Sequence, residues 1–183
     1  MRTPEQVLGP YFPMGSQPRK GGDLVSPDRV KGSPYGDLIE VVGRVLDCRG
    51  KPIHDVKIVI WQANSFGRYA HPNDHNIATL DPNFDGFAEF RSDDSGGYRI
   101  RTIKPGAYPA SVDWMRPPHI HFDVQGKFER LITQMYFPGE PLNETDRYLK
   151  SASYPDMLIA KPLGRPMHAR HNVLKFDIVL KRG

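Results

Sequence analysis

Short apolar runs, separated by polar turns, recur along the chain from Leu38 onward. Runs of four to eight residues that are rich in β-branched and aromatic side chains and bounded by Gly, Pro, Asn or Asp are typical of β-strands. We predict strands at residues 38–46, 56–63, 87–91, 98–103, 119–124, 131–137 and 173–180, and short helical turns between residues 143 and 160. This many short strands with turns between them favours an all-β sandwich.

The first part of the chain has a different pattern. Residues 1–35 contain recurring prolines and glycines and show little periodicity, so they cannot form a core of their own. Leu8, Tyr11 and Phe12 nevertheless provide apolar anchors. We therefore predict an extended N-terminal arm over residues 1–35, packed on a β-sandwich domain over residues 36–183.

Composition excludes several classes of protein. The chain has 183 residues with 17 glycines and 18 prolines, which is too rich in turn formers for a helical bundle. It has no apolar run approaching the roughly 20 residues of a membrane-spanning helix. Cys48 is the only cysteine and the first residues lack the apolar segment of a secretory signal, so we expect a cytoplasmic protein without disulfides.

The charge balance bears on the partners. The net charge is +4 at pH 7, but no dense run of Lys and Arg is present. A mildly basic chain of this kind is compatible with a small anionic substrate and gives little support to nucleic-acid binding. We expect neither a nucleic acid nor a membrane as partner.

Two histidines give the strongest local signal for chemistry. His119 and His121 are two positions apart on a predicted strand, so their side chains point to the same face. Imidazole is the commonest metal ligand in proteins. The same spacing also occurs in plain exposed pairs, so the histidines alone leave both interpretations open.

Two tyrosines on long loops strengthen the metal interpretation. Tyr69 lies in the polar segment 64–85, and Tyr108 lies between Gly and Pro in the segment 104–118, which we also expect to be a loop. Long ordered loops in compact domains often carry function. A nearby cation lowers the pKa of a phenol, and a phenolate oxygen is a hard donor that suits a trivalent metal.

Longer stretches of the chain resemble the intradiol ring-cleaving dioxygenases, specifically their protocatechuate 3,4-dioxygenase-like branch and its catalytic subunits. The resemblance covers nearly the whole chain in the order of the family. The matching stretches are residues 3–6, 9–12, 43–45, 61–64, 67–69, 80–84, 101–109, 116–122, 131–137 and 176–180.

The resemblance implies an Ig/transthyretin-like antiparallel β-sandwich that cleaves a catechol with O₂ to a cis,cis-muconate. It implies a non-haem Fe(III) cofactor, whose protein ligands would be Tyr69, Tyr108, His119 and His121. It also implies a proton-accepting role for Tyr108, which would leave the metal when substrate binds.

The same resemblance implies further site residues. Arg116 matches the active-site arginine, which stabilises negative charge on the substrate, and Gln134 matches a glutamine behind it. The substrate pocket would include Trp61, Ala110 and the arm residues Gly9, Pro10 and Tyr11. In the related enzymes the arm walls an active site across a subunit contact.

One departure from the family concerns substrate identity. Ala110 stands where the protocatechuate-cleaving catalytic subunit has a tryptophan, so we expect a wider pocket that accepts substituted catechols. The net positive charge favours a carboxylated catechol such as protocatechuate, and hydroxyquinol is the second choice. All four ligands and the arm are present in one chain, so we expect a homo-oligomer. A second, non-identical subunit is the alternative.

Two alternatives from other classes remain. One alternative is a non-catalytic binding subunit. Transthyretin-like sandwiches often only bind ligands, and the fold alone does not determine function. An extradiol-type Fe(II) oxygenase needs two histidines and a carboxylate. Asp123 is two positions after His121 and shares its strand face, so it is the candidate carboxylate.

Overall fold

β-Strands make up most of the ordered structure. The computed structural model of the chain describes residues 1–14, 17–25, 32–164 and 171–182. The strands are β1 (Arg19–Lys20), β2 (Leu38–Asp47), β3 (Lys57–Trp61), β4 (Phe87–Arg91), β5 (Gly97–Ile103), β6 (Tyr108–Ser111), β7 (Trp114–Arg116), β8 (His119–Gln125), β9 (Arg130–Tyr136), β10 (Lys161–Gly164), β11 (Asn172–Lys175) and β12 (Ile178–Leu180). The all-β prediction is confirmed.

Helical structure is confined to one short region. A five-residue helix, α1 (Arg147–Ser151), lies between two 3-10 turns at Pro141–Glu144 and Pro155–Leu158. These elements correspond to the helical turns predicted between residues 143 and 160. No helix in the described part of the chain has the length and apolar character needed to cross a membrane.

Two five-stranded sheets form the body of the fold. One sheet has the strand order β1-β4-β3-β8-β9, and the other has the order β10-β11-β2-β12, with β5 also paired to β2. Most pairs are antiparallel, but β1 with β4, β11 with β2 and β12 with β2 are parallel, so both sheets are mixed. Residues from both sheets share one hydrophobic core, in which the rings of Phe122 and Phe176 lie 5.4 Å apart.

Strand β8, which lies between β3 and β9, is buried on both of its faces. Ile120 and Phe122 point into the core between the sheets. The opposite face carries His119, His121 and Asp123, which are also buried. Since alternate residues of a strand point to opposite faces, other parts of the chain must cover the polar face of β8.

The last predicted strand, 173–180, is divided in two. β11 and β12 pair with β2 in the same register, and the break falls at Phe176 and Asp177. At the break the amide of Phe176 still donates to the carbonyl of Val42, and side chains supply the other bonds. The Tyr98 hydroxyl donates to the carbonyl of Phe176, and the Asp177 carboxylate accepts from the amide of Arg44 at 3.0 Å. Contacts of this kind depend on tertiary packing and are not visible in the local pattern.

The segment 104–118 is more regular than predicted. It contains the hairpin β6–β7, which pairs Tyr108 with Arg116. The prediction of a plain loop was wrong. Pro109 and the prolines after Arg116 indicated that no strand would form, but a short two-stranded hairpin outside the main sheets tolerates proline.

The N-terminal arm lies along its own chain. Over residues 1–14, the amides of Thr3 and Gln6 donate to carbonyls of β12 and β9 at 2.9 and 2.8 Å. The arm therefore covers part of the domain to which it belongs. Residues 15–16 and 26–31 of the predicted arm lie outside the described residues.

Gly43 on β2 lies against the break between β11 and β12, where the two backbones approach closely. A Cβ atom at this position would overlap the carbonyl oxygen of Phe176 and approach the Tyr98 ring. We predict that Gly43→Ala lowers the free energy of unfolding by about 3 kcal/mol, because overpacking against backbone cannot relax. Urea denaturation measures the change.

Gly126→Ala is the matched control for this prediction. The nearest atom to a Cβ there is the flexible Cδ1 of Leu180, at 3.1 Å. We expect this substitution to change the free energy of unfolding by less than about 1 kcal/mol. Equal effects of the two substitutions would contradict the role assigned to Gly43.

Candidate metal centre and active site

The two strand histidines converge on one point. Their Nε2 atoms are 3.1 Å apart, and each residue is only 2% exposed. The Nδ1 of His119 lies 2.7 Å from the carbonyl of Pro117. An Nδ1–H that donates to this carbonyl leaves the lone pair of His119 on Nε2, facing His121.

Both imidazoles are neutral at physiological pH. Burial lowers the pKa of His119 and of His121 well below the ordinary value, and the nearby positive charge of Arg116 lowers each of them further. A neutral imidazole with a free Nε2 is the form that binds metal ions. Two such nitrogens held side by side are therefore suited to a shared cation.

Close backbone approach brings the two tyrosines together. Gly67, with φ of 79°, and Gly106 lie where the segment 64–85 meets the segment before β6, and a Cβ on either would overlap backbone of the other segment. The rings of Tyr69 and Tyr108 are consequently 5.4 Å apart in an edge-to-face arrangement. Glycine is required at both positions.

The phenol oxygen of Tyr69 has an unusual environment. It is buried and makes no well-formed hydrogen bond among the residues that the structure describes, although the Tyr108 hydroxyl is close enough to interact with it. Burial raises the pKa of Tyr69 well above its ordinary value, and the neighbouring Tyr108 raises it further. Burial also raises the pKa of Tyr108, against the opposing effect of Arg116. Without a cation both phenols are protonated, and the Tyr69 hydroxyl remains unsatisfied, which is costly in a protein interior.

These four side chains form one cluster. The Tyr108 ring lies 5.6 Å from that of His119, and the Tyr69 ring lies 6.3 Å from that of His121. We call this cluster the metal-donor set, which consists of Tyr69, Tyr108, His119 and His121. Its two nitrogens and two oxygens fit a hard cation, since such a cation would ionise the phenols and satisfy the unpartnered Tyr69 oxygen.

Asp123 does not join this cluster. Its carboxylate accepts both guanidinium bonds of Arg130 at 2.9 Å and a bond from Gln125 at 2.8 Å. Across the described ranges, no group of three His, Cys, Asp or Glu side chains is gathered as a metal site. The proposed triad of two histidines and Asp123 is therefore wrong, because Asp123 is committed to an ion pair.

Arg116 is buried beside the donor set and held by three partners. Its Nε donates to the Asp146 carboxylate at 2.7 Å, and its Nη2 donates to Gln134 at 2.7 Å and to the Tyr136 hydroxyl at 2.9 Å. Gln134 in turn donates to the carbonyl of Val7 in the arm at 2.9 Å. The predicted site residues Arg116 and Gln134 are thus in direct contact.

Sequence reasoning missed two members of this network. Tyr136 is two positions after Gln134 on β9, so the alternation of strand faces was a usable signal for it. The only local sequence signal for Asp146 is that of a helix N-cap, since it precedes α1. In the structure its carboxylate accepts from the amide of Leu149 at 2.8 Å. Nothing local connects it with Arg116.

Trp61 and the arm cover the donor set. The Trp61 ring stacks on His121 at 4.7 Å with an interplanar angle of 12°, and the Tyr11 ring lies 4.6 Å from that of Tyr69. Gly9 has φ of 76°, and a Cβ on it would lie 3.4 Å from the His121 ring. These predicted pocket residues are therefore brought together.

The other two predicted pocket residues are more peripheral. Pro10 is exposed in the turn between Gly9 and Tyr11. Ala110 is exposed on β6, at the irregular part of the hairpin that carries Tyr108. Their contact with substrate stays a prediction.

Comparisons with known proteins identify the family. A family model described as Dioxygenase matches residues 7–182. The chain is 43% identical over 166 residues to the protocatechuate 3,4-dioxygenase beta chain of Burkholderia cepacia, which covers 87% of this chain and 71% of that protein. It is 31% identical over 159 residues to the catechol 1,2-dioxygenase of Candida albicans, covering 79% of this chain and 50% of that protein.

A solved structure shows the same relationship. The dioxygenase domain of a dioxygenase carbohydrate-binding protein fusion from Streptomyces sp. SirexAA-E superimposes with a TM-score of 0.75 at 30% identity, over 98% of each chain. The sequence matches, the shared fold and the site geometry agree with one another. This chain belongs to the intradiol ring-cleaving dioxygenases and is an enzyme of the protocatechuate 3,4-dioxygenase-like kind.

Proposed function

We propose that the metal-donor set holds one ferric ion and that the enzyme cleaves a substituted catechol with O₂ to a cis,cis-muconate. The observation that carries this proposal is the buried, unpartnered oxygen of Tyr69, which lies beside two neutral imidazoles whose Nε2 atoms are 3.1 Å apart. A bound ferric ion would act as a Lewis acid that favours the ionised catechol and orients it for attack by O₂.

Tyr108 is the proton acceptor of the pair of tyrosines. It lies on the hairpin β6–β7, which belongs to neither main sheet, whereas the backbone of Tyr69 is fixed by a 2.7 Å bond from its amide to Asp74. An ionised Tyr108 would accept a proton readily, because burial raises the pKa of its phenol. Its oxygen would take up a proton from a catechol hydroxyl.

Arg116 supplies a fixed positive charge at the site. The guanidinium is 2% exposed and held by hydrogen bonds, so it needs little reorganisation as negative charge develops on the substrate ring. The aromatic side chains of Trp61 and Tyr11 cover the same region and exclude water. Exclusion of water strengthens the electrostatic effect of Arg116.

Protocatechuate is the substrate we favour, with hydroxyquinol second. Ala110 offers less bulk than the tryptophan that the resemblance places there, and the chain has a net charge of +4. The relative in Burkholderia cepacia is named for protocatechuate cleavage. These observations support a substituted, carboxylated catechol in preference to catechol itself.

We further propose a homo-oligomer in the cytoplasm. The arm of this chain covers its own donor set, through Gly9 and Tyr11, so a second kind of subunit is not needed to complete the site. The relative in Burkholderia cepacia is a beta chain, which leaves a paired subunit as the alternative. Cys48 is a free, exposed thiol, as expected in a reducing compartment.

Loss of either strand histidine should release the metal. We predict that His119→Ala and His121→Ala each reduce bound iron at least about tenfold, since losing one ligand weakens a site more than changes in its surroundings do. Iron analysis of the purified variants measures this, with circular dichroism to show that the sandwich is folded.

His54→Ala serves as the control for this experiment, because His54 is exposed and precedes the start of β3, whereas Trp61, which stacks on His121, is at the end of that strand. We expect it to keep the iron content of the unchanged protein. Full iron in both strand variants would show that the ligand assignment is wrong.

Substrate preference provides a separate test. Oxygen uptake on a panel of catechols should give a higher kcat/KM for protocatechuate or hydroxyquinol than for catechol. Ala110→Trp should reduce kcat/KM for the substituted compounds more than for catechol, because it adds bulk beside Tyr108. A marked preference of the unchanged enzyme for catechol would contradict the pocket argument, and it would leave the metal assignment intact.

A further inference from the structure

Arg116 has one conspicuous partner that the proposed chemistry does not use. Asp146 is 0% exposed, and it is the carboxylate that balances the buried guanidinium. It reaches the site from the start of α1, which follows Arg116 by 30 positions in the chain. A buried guanidinium needs a carboxylate partner of this kind, because an unpaired charge in the protein interior is strongly disfavoured.

The two carboxylate oxygens of Asp146 have different partners. Oδ2 accepts from Nε of Arg116 at 2.7 Å. Oδ1 accepts from the amide of Leu149 at 2.8 Å and lies 3.2 Å from the Tyr136 hydroxyl. The carboxylate is thus anchored to the first turn of α1 on one side and to Arg116 on the other, so its position fixes the Nε edge of the guanidinium.

The other contacts of Arg116 fix its remaining edge and its plane. Nη2 donates to Gln134 and Tyr136, and the guanidinium carbon lies 4.7 Å from the centre of the Tyr148 ring. Within the described residues, Nη1 donates to no protein group. The network therefore uses the Nε and Nη2 hydrogens, and those of Nη1 meet no protein acceptor among the described residues.

We propose that Asp146 is a positioning residue for ring cleavage, which orients Arg116 so that Nη1 faces the reacting catechol. This inference rests on the proposed function and adds a residue to it. Among the described residues Asp146 makes no hydrogen bond to the donor set; its carboxylate bonds to Arg116, Leu149 and Tyr136, and of these only Arg116 carries a charge. We therefore assign its effect to Arg116. Its loss should lower kcat and leave iron binding unchanged.

Asp146→Asn is the informative substitution. Asparagine is a good helix N-cap, but it has one acceptor oxygen and one NH₂ group. In either orientation of the amide group, the NH₂ faces the Nε–H of Arg116 or the backbone N–H of Leu149. Asparagine can therefore accept only one of these two hydrogen bonds. We expect kcat to fall about 10- to 100-fold, part of the loss of about 10²–10³ typical for a whole electrostatic stabiliser, with KM changed less than kcat.

A double-mutant cycle separates positioning from a general loss of stability. Arg116→Gln should slow turnover by about 10²–10³. If Asp146 acts through Arg116, Asp146→Asn should have no further effect on kcat in the Arg116→Gln background. Additive losses, or an Asp146→Asn enzyme with unchanged kcat, would overturn the proposal.

Asp123→Asn is the matched control. Asp123 is equally buried and also paired with an arginine, Arg130, whose side chain is 57% exposed, and it is outside the Arg116 network. We expect it to alter stability and to leave kcat within about twofold of the unchanged enzyme, as for sites that share no partners. A loss of kcat equal to that of Asp146→Asn would show that any buried ion pair matters, which would overturn the positioning role.

The measurements also distinguish this inference from the proposed function. Iron content and the visible spectrum are recorded for every variant, and an unchanged enzyme without iron or ring-cleaving activity would refute the proposed function itself. If Asp146→Asn does not fold, the same cycle is run with Asp146→Glu, which keeps the charge and both acceptor oxygens but displaces them. The criterion is the same: a loss of kcat that disappears in the Arg116→Gln background supports positioning, and any other result overturns it.

Discussion

The polar face of β8 imposes the main constraint on this structure. His119, His121 and Asp123 follow one another on the same face of a strand whose other face forms the core, and all three are buried. Each polar group needs a partner in an environment without water. Arg130 provides one for Asp123, and the donor set with its cation provides one for the two histidines in our account. The segment 64–85, the hairpin and the arm are arranged around this requirement.

The arm is joined to the hydrogen-bond network of Arg116 through its backbone and side chains. The carbonyl of Val7 accepts from Gln134 at 2.9 Å, and the Tyr136 hydroxyl lies 3.2 Å from the side-chain oxygen of Gln6. Gln134 and Tyr136 are also partners of Arg116. Docking of the arm is therefore coupled to the position of the arginine, and a single chain contains both the donor set and its cover.

The extent of sequence-based prediction can be explained residue by residue. The same-face rule for alternating strand residues was sufficient to place His119 beside His121. Loop position made Tyr69 and Tyr108 candidates, and the family resemblance implied that they join the histidines as ligands. Asp146 could not be predicted, because its bond to Arg116 joins the start of α1 to β7 through tertiary packing. The parallel pairing of β11 and β12 with β2 was missed for a similar reason: partners distant in the chain leave no mark on the local pattern.

We propose that two tyrosinates and two imidazoles hold one ferric ion, and visible absorption of the iron-loaded protein is the decisive measurement. Charge transfer from tyrosinate to Fe(III) gives a red-brown colour, so the unchanged protein should show a broad visible band with one iron per chain. Tyr69→Phe should weaken and shift this band, whereas Tyr35→Phe, at an exposed tyrosine, should not. A colourless protein with full iron, or a band unaffected by Tyr69→Phe, would contradict the account.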